Sequence, residues 1–278
     1  MKTILMCEPK AFAVNYEINP WMNFNIGKVN YFVAYKQWEN LYKILQNLNV
    51  NLVVMRNQPK DLPDLVFTAN AALVINGNAL ISHFAYKERQ SESILYNDFL
   101  RTLQFKTDTY FIDNDIYFEG AGDALLEKHK NILVLGYGFR TEKKAYNYVK
   151  NFLEKVSPKT ELIHAELINP DFYHLDTCFC PLDNGYIIYY PEAFSKKTLN
   201  EFNKKFENKL IPLSKEDAML FGCNAVSVDN NLVLNKASKE LKTKLQNIGV
   251  KVLESSLDQY ILSGGSAKCL TLELSLLV

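Results

Sequence analysis

The chain has little cysteine, no surplus of either charge and no long apolar run. Five cysteines in 278 residues is an odd and sparse count, which argues against a disulfide framework. Cys178 and Cys180 stand one residue apart, not at the usual CxxC spacing, and close His/Cys spacing is missing elsewhere, so no metal is expected. Lys+Arg and Asp+Glu both total 31, which argues against a nucleic-acid binder or a polybasic membrane protein. No apolar run approaches membrane-spanning length. After Lys2 the stretch MKTILMCEPK holds a four-residue apolar run broken by Glu8 and Pro9, too short for a signal peptide, so the expected setting is reducing and cytoplasmic. A GxSxG elbow, a phosphate loop and a dinucleotide fingerprint are all missing, and no organic cofactor is expected.

What is present is an ordinary globular composition, 48% hydrophobic and 22% charged, in a length that fits one large domain or two. The chain repeats itself at a period of roughly 40–55 residues. LVFTANAALVI, the turn Asn76-Gly77-Asn78 and ALISHF read as a hairpin. A helix (KERQSESILYNDFLRTL) and a strand (FKTDTYFI) follow. The second unit runs FEGAGDALLEKHKNILVLGYGF, helix TEKKAYNYVKNFLEKV, strand ELIHAEL. The third runs HLDTCFCPLDNGYIIYYPEAF, helix SKKTLNEFNKKFENK, strand LIPLS; the fourth GCNAVSVDNNLVLN, helix KASKELKTKLQNI, strand GVKVLES. The fifth opens with SGGSAKCLTLEL and stops. Its helix and strand are supplied by residues 36–55, where Trp38, Leu41, Leu45 and Leu48 have helical spacing. Residues 3–8 supply the second hairpin strand. A closed ring of five units hides its sheet edges, so residues 1–278 are expected to form one ring-shaped α/β domain whose N-terminal segment completes the last unit.

Each unit is expected to open its first strand with small or polar residues: Thr68-Ala69-Asn70, Glu119-Gly120-Ala121-Gly122-Asp123, His174-Leu175-Asp176, Gly222-Cys223-Asn224 and Gly264-Gly265 before Cys269. Taken alone, Cys269 reads more readily as a buried cysteine at a strand start than as an exposed thiol, and His174 as a core histidine bonded to Asp176. In a ring, equivalent strand ends converge on the axis. Asn70, Glu119, Asp123, His174, Asp176 and Cys269 then meet, and a thiol, an imidazole and carboxylates in one cleft make a nucleophile with its base and charge partners.

FEGAGD, YHLDT and SGGSAKCLTLEL together resemble the guanidine-modifying superfamily with the pentein fold, a five-bladed α/β propeller of ββαβ units around a central axial site. NYEINPWM, VFTANAAL and the KERQ around Arg89 are similar to its arginine dihydrolase branch. The resemblance spans the whole chain. It implies Cys269 as nucleophile, His174 as general acid/base, and Glu119 and Asp176 as the carboxylates that grip the guanidinium. Asp123 matches the family Asp of the EGxxD pattern, in a more structural role. Arg89 and Arg140 stand at places suited to a substrate carboxylate, and Asn19 and Asn70 match asparagines of the dihydrolase branch. Deiminases and dimethylarginine hydrolases usually carry Asp where this chain has Asn70.

The resemblance thus implies a cofactor-free amidinohydrolase of L-arginine, giving ornithine, carbon dioxide and ammonia through a covalent thiouronium. Its partner is a small guanidine, with neither nucleic acid nor membrane involved, and a homo-oligomer is compatible with it. The alternatives are a dimethylarginine dimethylaminohydrolase or arginine deiminase giving citrulline, an amidinotransferase, and a non-catalytic ring protein.

Overall fold

The computed structural model describes residues 1–278 except Asn57, 104–107, Asn114 and 276–278. The fold is mixed α/β and contains, among the described residues, five three-stranded sheets. One local plan recurs. Two strands pair as an antiparallel hairpin, a helix follows, and a third strand returns parallel to the second. In the first complete unit Ala72–Ile75 pairs antiparallel with Asn78–Ile81, which pairs parallel with Asp108–Tyr110. Asn76 and Gly77 both have positive φ, 50° and 74°, the conformation that a two-residue hairpin turn demands. The next three units use Ala124–Glu127, Ile132–Tyr137 and Glu161–Glu166; Phe179–Pro181, Ile187–Tyr189 and Leu210–Pro212; and Val226–Val228, Asn231–Leu234 and Lys251–Glu254. The remaining sheet joins distant parts of the chain. Thr3–Cys7 lies between Leu272–Glu273, antiparallel, and Asn51–Met55, parallel.

The helices lie against these sheets through apolar stripes. In Tyr31–Asn47, the residues Ala34, Trp38, Leu41 and Leu45 are buried and pack with Ile4, Met6 and Val50. Each such leucine, fully buried, contributes about 1.5–3 kcal/mol. This helix starts five residues earlier than its apolar spacing suggests, because the Asn30 side chain accepts from Val33 N–H and caps it. The helix expected over 87–103 is broken at Ser91 into Lys87–Gln90 and Glu92–Thr102. The start of the strand expected over 105–112 lies outside the described residues.

The unit openings differ from the sequence expectation in one consistent way. The polar residues precede the strands, on short turns of 3-10 helix: Thr68–Ala71, Gly120–Gly122 and Leu175–Thr177. Cys269 likewise sits in a helical turn, in which Leu270 N–H donates to Ser266 O and Thr271 N–H to Lys268 O. The strand after it is only Leu272–Glu273. A turn directs successive side chains around one point, whereas a strand would send alternate residues to opposite faces.

Candidate active site

Hydrogen bonds join the five opening turns in a circuit. Ala69 N–H donates to Cys269 O at 3.1 Å, Asn70 Nδ2 to Glu119 O at 3.2 Å and Leu175 N–H to Asp123 Oδ1 at 2.9 Å. Asn224 Nδ2 donates to Asp176 O at 3.1 Å, and Lys268 N–H to Asn224 O at 3.3 Å. Asn70, Glu119, Asp123, His174, Asp176 and Cys269 are all buried. Glycine is required where the turns crowd. At Gly264, φ is +80° and a Cβ would stand 2.6 Å from Tyr173 Oη and 2.9 Å from Asn19 Oδ1.

Inside the circuit is a small cavity of about 10 Å³, lined among others by Asn19, Asn70, Arg89, Arg140, His174 and Cys269. Glu119, Asp123 and Asp176 stand behind these residues, in contact with them but outside the lining. The Cys269 thiol donates to Asp176 Oδ2 at 3.4 Å and accepts from Asn224 Nδ2 at 3.0 Å. Burial pushes this thiol well up, and the neighbouring Asp176 adds to that. Burial also raises Asp176, to about 6, against the opposing pull of Lys268. Its second oxygen, Oδ1, is buried without a hydrogen-bond partner among the described residues. A buried carboxylate oxygen left open beside a thiol is a place for a cationic donor.

His174 Nε2 lies 2.7 Å from Glu119 Oε2 and 4.0 Å from Asp123 Oδ2. Glu119 also accepts from Arg140 Nη1 at 3.1 Å and from Ala85 N–H at 3.2 Å. Burial alone would raise the Glu119 carboxyl, but Arg140, the His174 bond and Arg89 outweigh it and hold it well below the usual carboxylate range. An ionised carboxylate only accepts, so the proton of this bond belongs to His174 Nε2. In the structure, therefore, Glu119 fixes His174 and Arg140, and the open carboxylate oxygen belongs to Asp176. Asp123 accepts from Thr141 Oγ1 at 2.7 Å and from Leu175 N–H; burial raises it to about 6.

The two arginines are both at the cavity and both heavily committed. Arg89 makes a two-pronged pair with Glu92, 2.9 Å and 2.8 Å, donates to Asn70 Oδ1 at 3.0 Å and lies over the Phe84 ring. Because a guanidinium only donates, Arg89 fixes which way the Asn70 amide points. Arg140 stacks between Tyr86 and Tyr173 and donates to Ile18 O at 2.9 Å. Asn19 caps the turn Pro20–Met22 and donates to Ser263 O at 3.1 Å, so it ties the segment over the cavity to the Gly-Gly loop.

Three site residues were missed by sequence reasoning. Asp64 lines the cavity, accepting from Tyr16 Oη at 2.9 Å and Ser263 Oγ at 3.1 Å; burial raises its carboxyl. Its signal was a lone acid inside the apolar run LPDLVF. Asn224 was visible as part of a unit opening, but nothing in the sequence says that it reaches the sulfur. Thr141 bridges Glu119 N–H, 3.0 Å, and Asp123, a role without a sequence signature. A larger cavity of about 90 Å³ lies behind the 268–271 turn, lined by Lys2, Lys128, Lys268, Asp183 and Glu273 among others. It contains none of Cys269, His174 and Glu119.

The chain is similar to known proteins over nearly its whole length. The family model described as N,N dimethylarginine dimethylhydrolase, eukaryotic, matches residues 8–276. The chain is 42% identical over 277 residues to the bifunctional arginine dihydrolase/ornithine cyclodeaminase AgrE of Nostoc sp., covering 98% of this chain and 37% of AgrE. It is 34% identical to the N(G),N(G)-dimethylarginine dimethylaminohydrolase of Mycobacterium tuberculosis, covering 97% of this chain and 84% of that protein. Among solved structures, the substrate-bound N-terminal domain of ArgZ, a cyanobacterial arginine dihydrolase, superposes with a TM-score of 0.95 at 38% identity, covering 100% of this chain and 99% of that one. The chain thus spans little more than a third of the length of AgrE and nearly all of that ArgZ domain.

Proposed function

The chain belongs to the N,N dimethylarginine dimethylhydrolase family, and from that premise we propose that it is a cysteine-dependent arginine dihydrolase, converting L-arginine to ornithine, carbon dioxide and ammonia. The observation that carries the reading is the open Oδ1 of Asp176, whose other oxygen receives the Cys269 thiol. A guanidinium placed against that oxygen sets its carbon beside the sulfur and, as a fixed cation, favours the thiolate. The thiolate attacks that carbon, forming a C–S bond. The terminal C–N bond breaks as His174 protonates the departing nitrogen, and a covalent thiouronium remains. Water, giving a proton to His174, then adds to the carbon, and the C–S bond breaks to leave the ureido compound. In the second round the thiolate attacks the ureido carbon of citrulline, and the terminal C–N bond breaks as His174 protonates the second departing ammonia. Water releases the resulting thiocarbamate from Cys269 as the carbamate of ornithine, and the Nδ–C bond of that carbamate breaks to give ornithine and carbon dioxide. Glu119 keeps the proton on His174 Nε2 and Asp123 backs it. Asp64, with Arg89 and Arg140, presents charges of both signs for the amino and carboxylate ends of an amino acid.

The same reading takes the circuit of turns as the axis of a five-bladed propeller and residues 1–278 as one domain, in a cytoplasmic setting. No helix among the described residues is long and apolar enough to cross a membrane. A cavity of about 10 Å³ holds about one water, so arginine entry requires the residues that line it to move apart. Asn70 favours the dihydrolase over the single-step hydrolases: its amide can donate to the ureido oxygen, which a carboxylate cannot. The test is product analysis with purified protein and L-arginine. Ornithine with two equivalents of ammonia per arginine is expected, and none from Cys269→Ser. Failure to consume arginine, or accumulation of citrulline as end product, overturns the reading.

A further inference from the structure

We propose that Asn224 is a catalytic residue: its side-chain amide donates to the Cys269 sulfur and stabilises it as the thiolate, both when it attacks and when it departs. The inference rests on Cys269 being the nucleophile and extends that reading to a residue on a different turn.

Asn224 is wholly buried in the turn before Val226–Val228, and both of its amide N–H groups and its amide oxygen are engaged within the site. Nδ2 donates to Cys269 Sγ at 3.0 Å and to Asp176 O at 3.1 Å, while Oδ1 accepts from Cys269 N–H at 3.1 Å. These partners fix the orientation. A backbone N–H can only donate and a carbonyl can only accept, so the amide cannot be turned over, and an N–H faces the sulfur. The backbone is held as firmly, with Asn224 N–H donating to Phe221 O and Asn224 O accepting from Lys268 N–H.

The sulfur needs such a donor. Asp176 stands 3.4 Å away on one side. Tyr173, Asp64, His174, Arg89 and Arg140 surround the cavity, and Lys268, next in the chain, lines the larger cavity behind and donates to Thr271 O at 3.2 Å. Among the described residues Asn224 is the one side chain that donates to the sulfur. The reaction loads the sulfur with charge twice. The thiolate pair forms the C–S bond as the C–N bond breaks and ammonia leaves with a proton from His174. Water then adds, loses its proton, and the C–S bond breaks with its pair returning to sulfur. The sulfur is anionic at both ends and neutral in the adduct, so a fixed donor favours entry and exit alike.

A donor to a charged atom shifts its titration by about one pH unit or somewhat more. The thiolate can be read by its ultraviolet absorbance against pH, as the difference between each protein and its Cys269→Ser counterpart. The unsubstituted chain, Asn224→Ala and the near-isosteric Asn224→Leu are compared. The midpoint is expected to rise by about one pH unit in the variants. Iodoacetamide alkylation of Cys269, followed on its peptide, should then be about threefold slower below the midpoint: thiolate falls tenfold, and the more basic sulfur recovers about threefold in nucleophilicity. Above the midpoint it should be about threefold faster, which a merely positional role cannot produce. An unmoved midpoint in either folded variant, or the same slowing at every pH, overturns the proposal. The unsubstituted chain gives an independent reading should both variants fail to fold. The Asn224 amide protons must move with the thiolate titration in NMR, and their standing still is equally fatal. Turnover surviving in Cys269→Ser would overturn the nucleophile reading and with it the catalytic role of Asn224, whereas an unmoved midpoint with turnover lost in Cys269→Ser overturns the Asn224 proposal alone.

Discussion

Replacing Asn70 by Asp tests the link between one amide and the product. Asn70 Oδ1 receives Arg89 Nη1 at 3.0 Å, and Nδ2 donates to Glu119 O at 3.2 Å. In Asn70→Asp the first contact survives, strengthened by charge. The second becomes two acceptors facing each other, and the donor offered to a ureido oxygen disappears. Leaving a buried polar group unpaired costs about 1–3 kcal/mol, and about 1.4 kcal/mol is a tenfold change. Retention of citrulline for a second attack should therefore fall by roughly tenfold to a hundredfold, and the first hydrolysis should fall less. Arg89 offsets much of the new charge, so the variant is expected to fold. Carbon NMR of arginine labelled in the guanidino carbon follows both products in one time course. Citrulline should accumulate in the variant and not in the unsubstituted protein. Ornithine persisting as the main product would refute the argument.

Other substitutions probe the charges. Glu119→Gln leaves Arg140 buried without its carboxylate, which should cost about 3–5 kcal/mol in urea unfolding, and it should lower kcat without abolishing turnover as Cys269→Ser does. An equal stability for the two proteins would show the pair to be dispensable. Asp176 has a folded pKa of about 6, above its ordinary 3.8. The folded state therefore binds more protons than the unfolded one between about pH 4 and pH 6, and this group's contribution to stability declines as pH rises through that window. Asp176→Asn removes the decline, so relative to the unsubstituted protein it should gain stability from pH 4 to pH 6, by up to about 3 kcal/mol, while losing guanidine binding. A stability difference independent of pH would contradict this. Gly264→Ala forces a positive φ on a side-chain residue and a Cβ against Tyr173 Oη. A loss of about 1–3 kcal/mol is expected, read as a lower melting temperature, and an unchanged one would count against the crowding.

The repeat was legible because each unit carries its own local signals: Asn76-Gly77 for a hairpin, Trp38, Leu41 and Leu45 for a helix face. The meeting of Asn70, Glu119, His174 and Cys269 followed from placing equivalent openings at equivalent places. The conformation of those openings was not legible. Leu270, Leu272 and Leu274 alternate as a strand would, yet the chain makes a helical turn through Cys269, because tertiary contacts such as Ala69 N–H to Cys269 O outweigh a short local pattern. Pairings across the site were hidden for a related reason. Nothing local tells that Glu119 is taken by Arg140 and His174 while Asp176 keeps an oxygen open, since each bond joins residues far apart in the chain.

The strand Thr3–Cys7 takes one neighbour from residues 51–55 and the other from residues 272–273. On the ribosome the second of these arrives only after the more than two hundred residues between them have been translated. Cys269 lies just before that second segment. Until then a nascent chain carries an unfilled sheet edge, exposed to aggregation, and it gains Cys269 and the strand that fills that edge almost together.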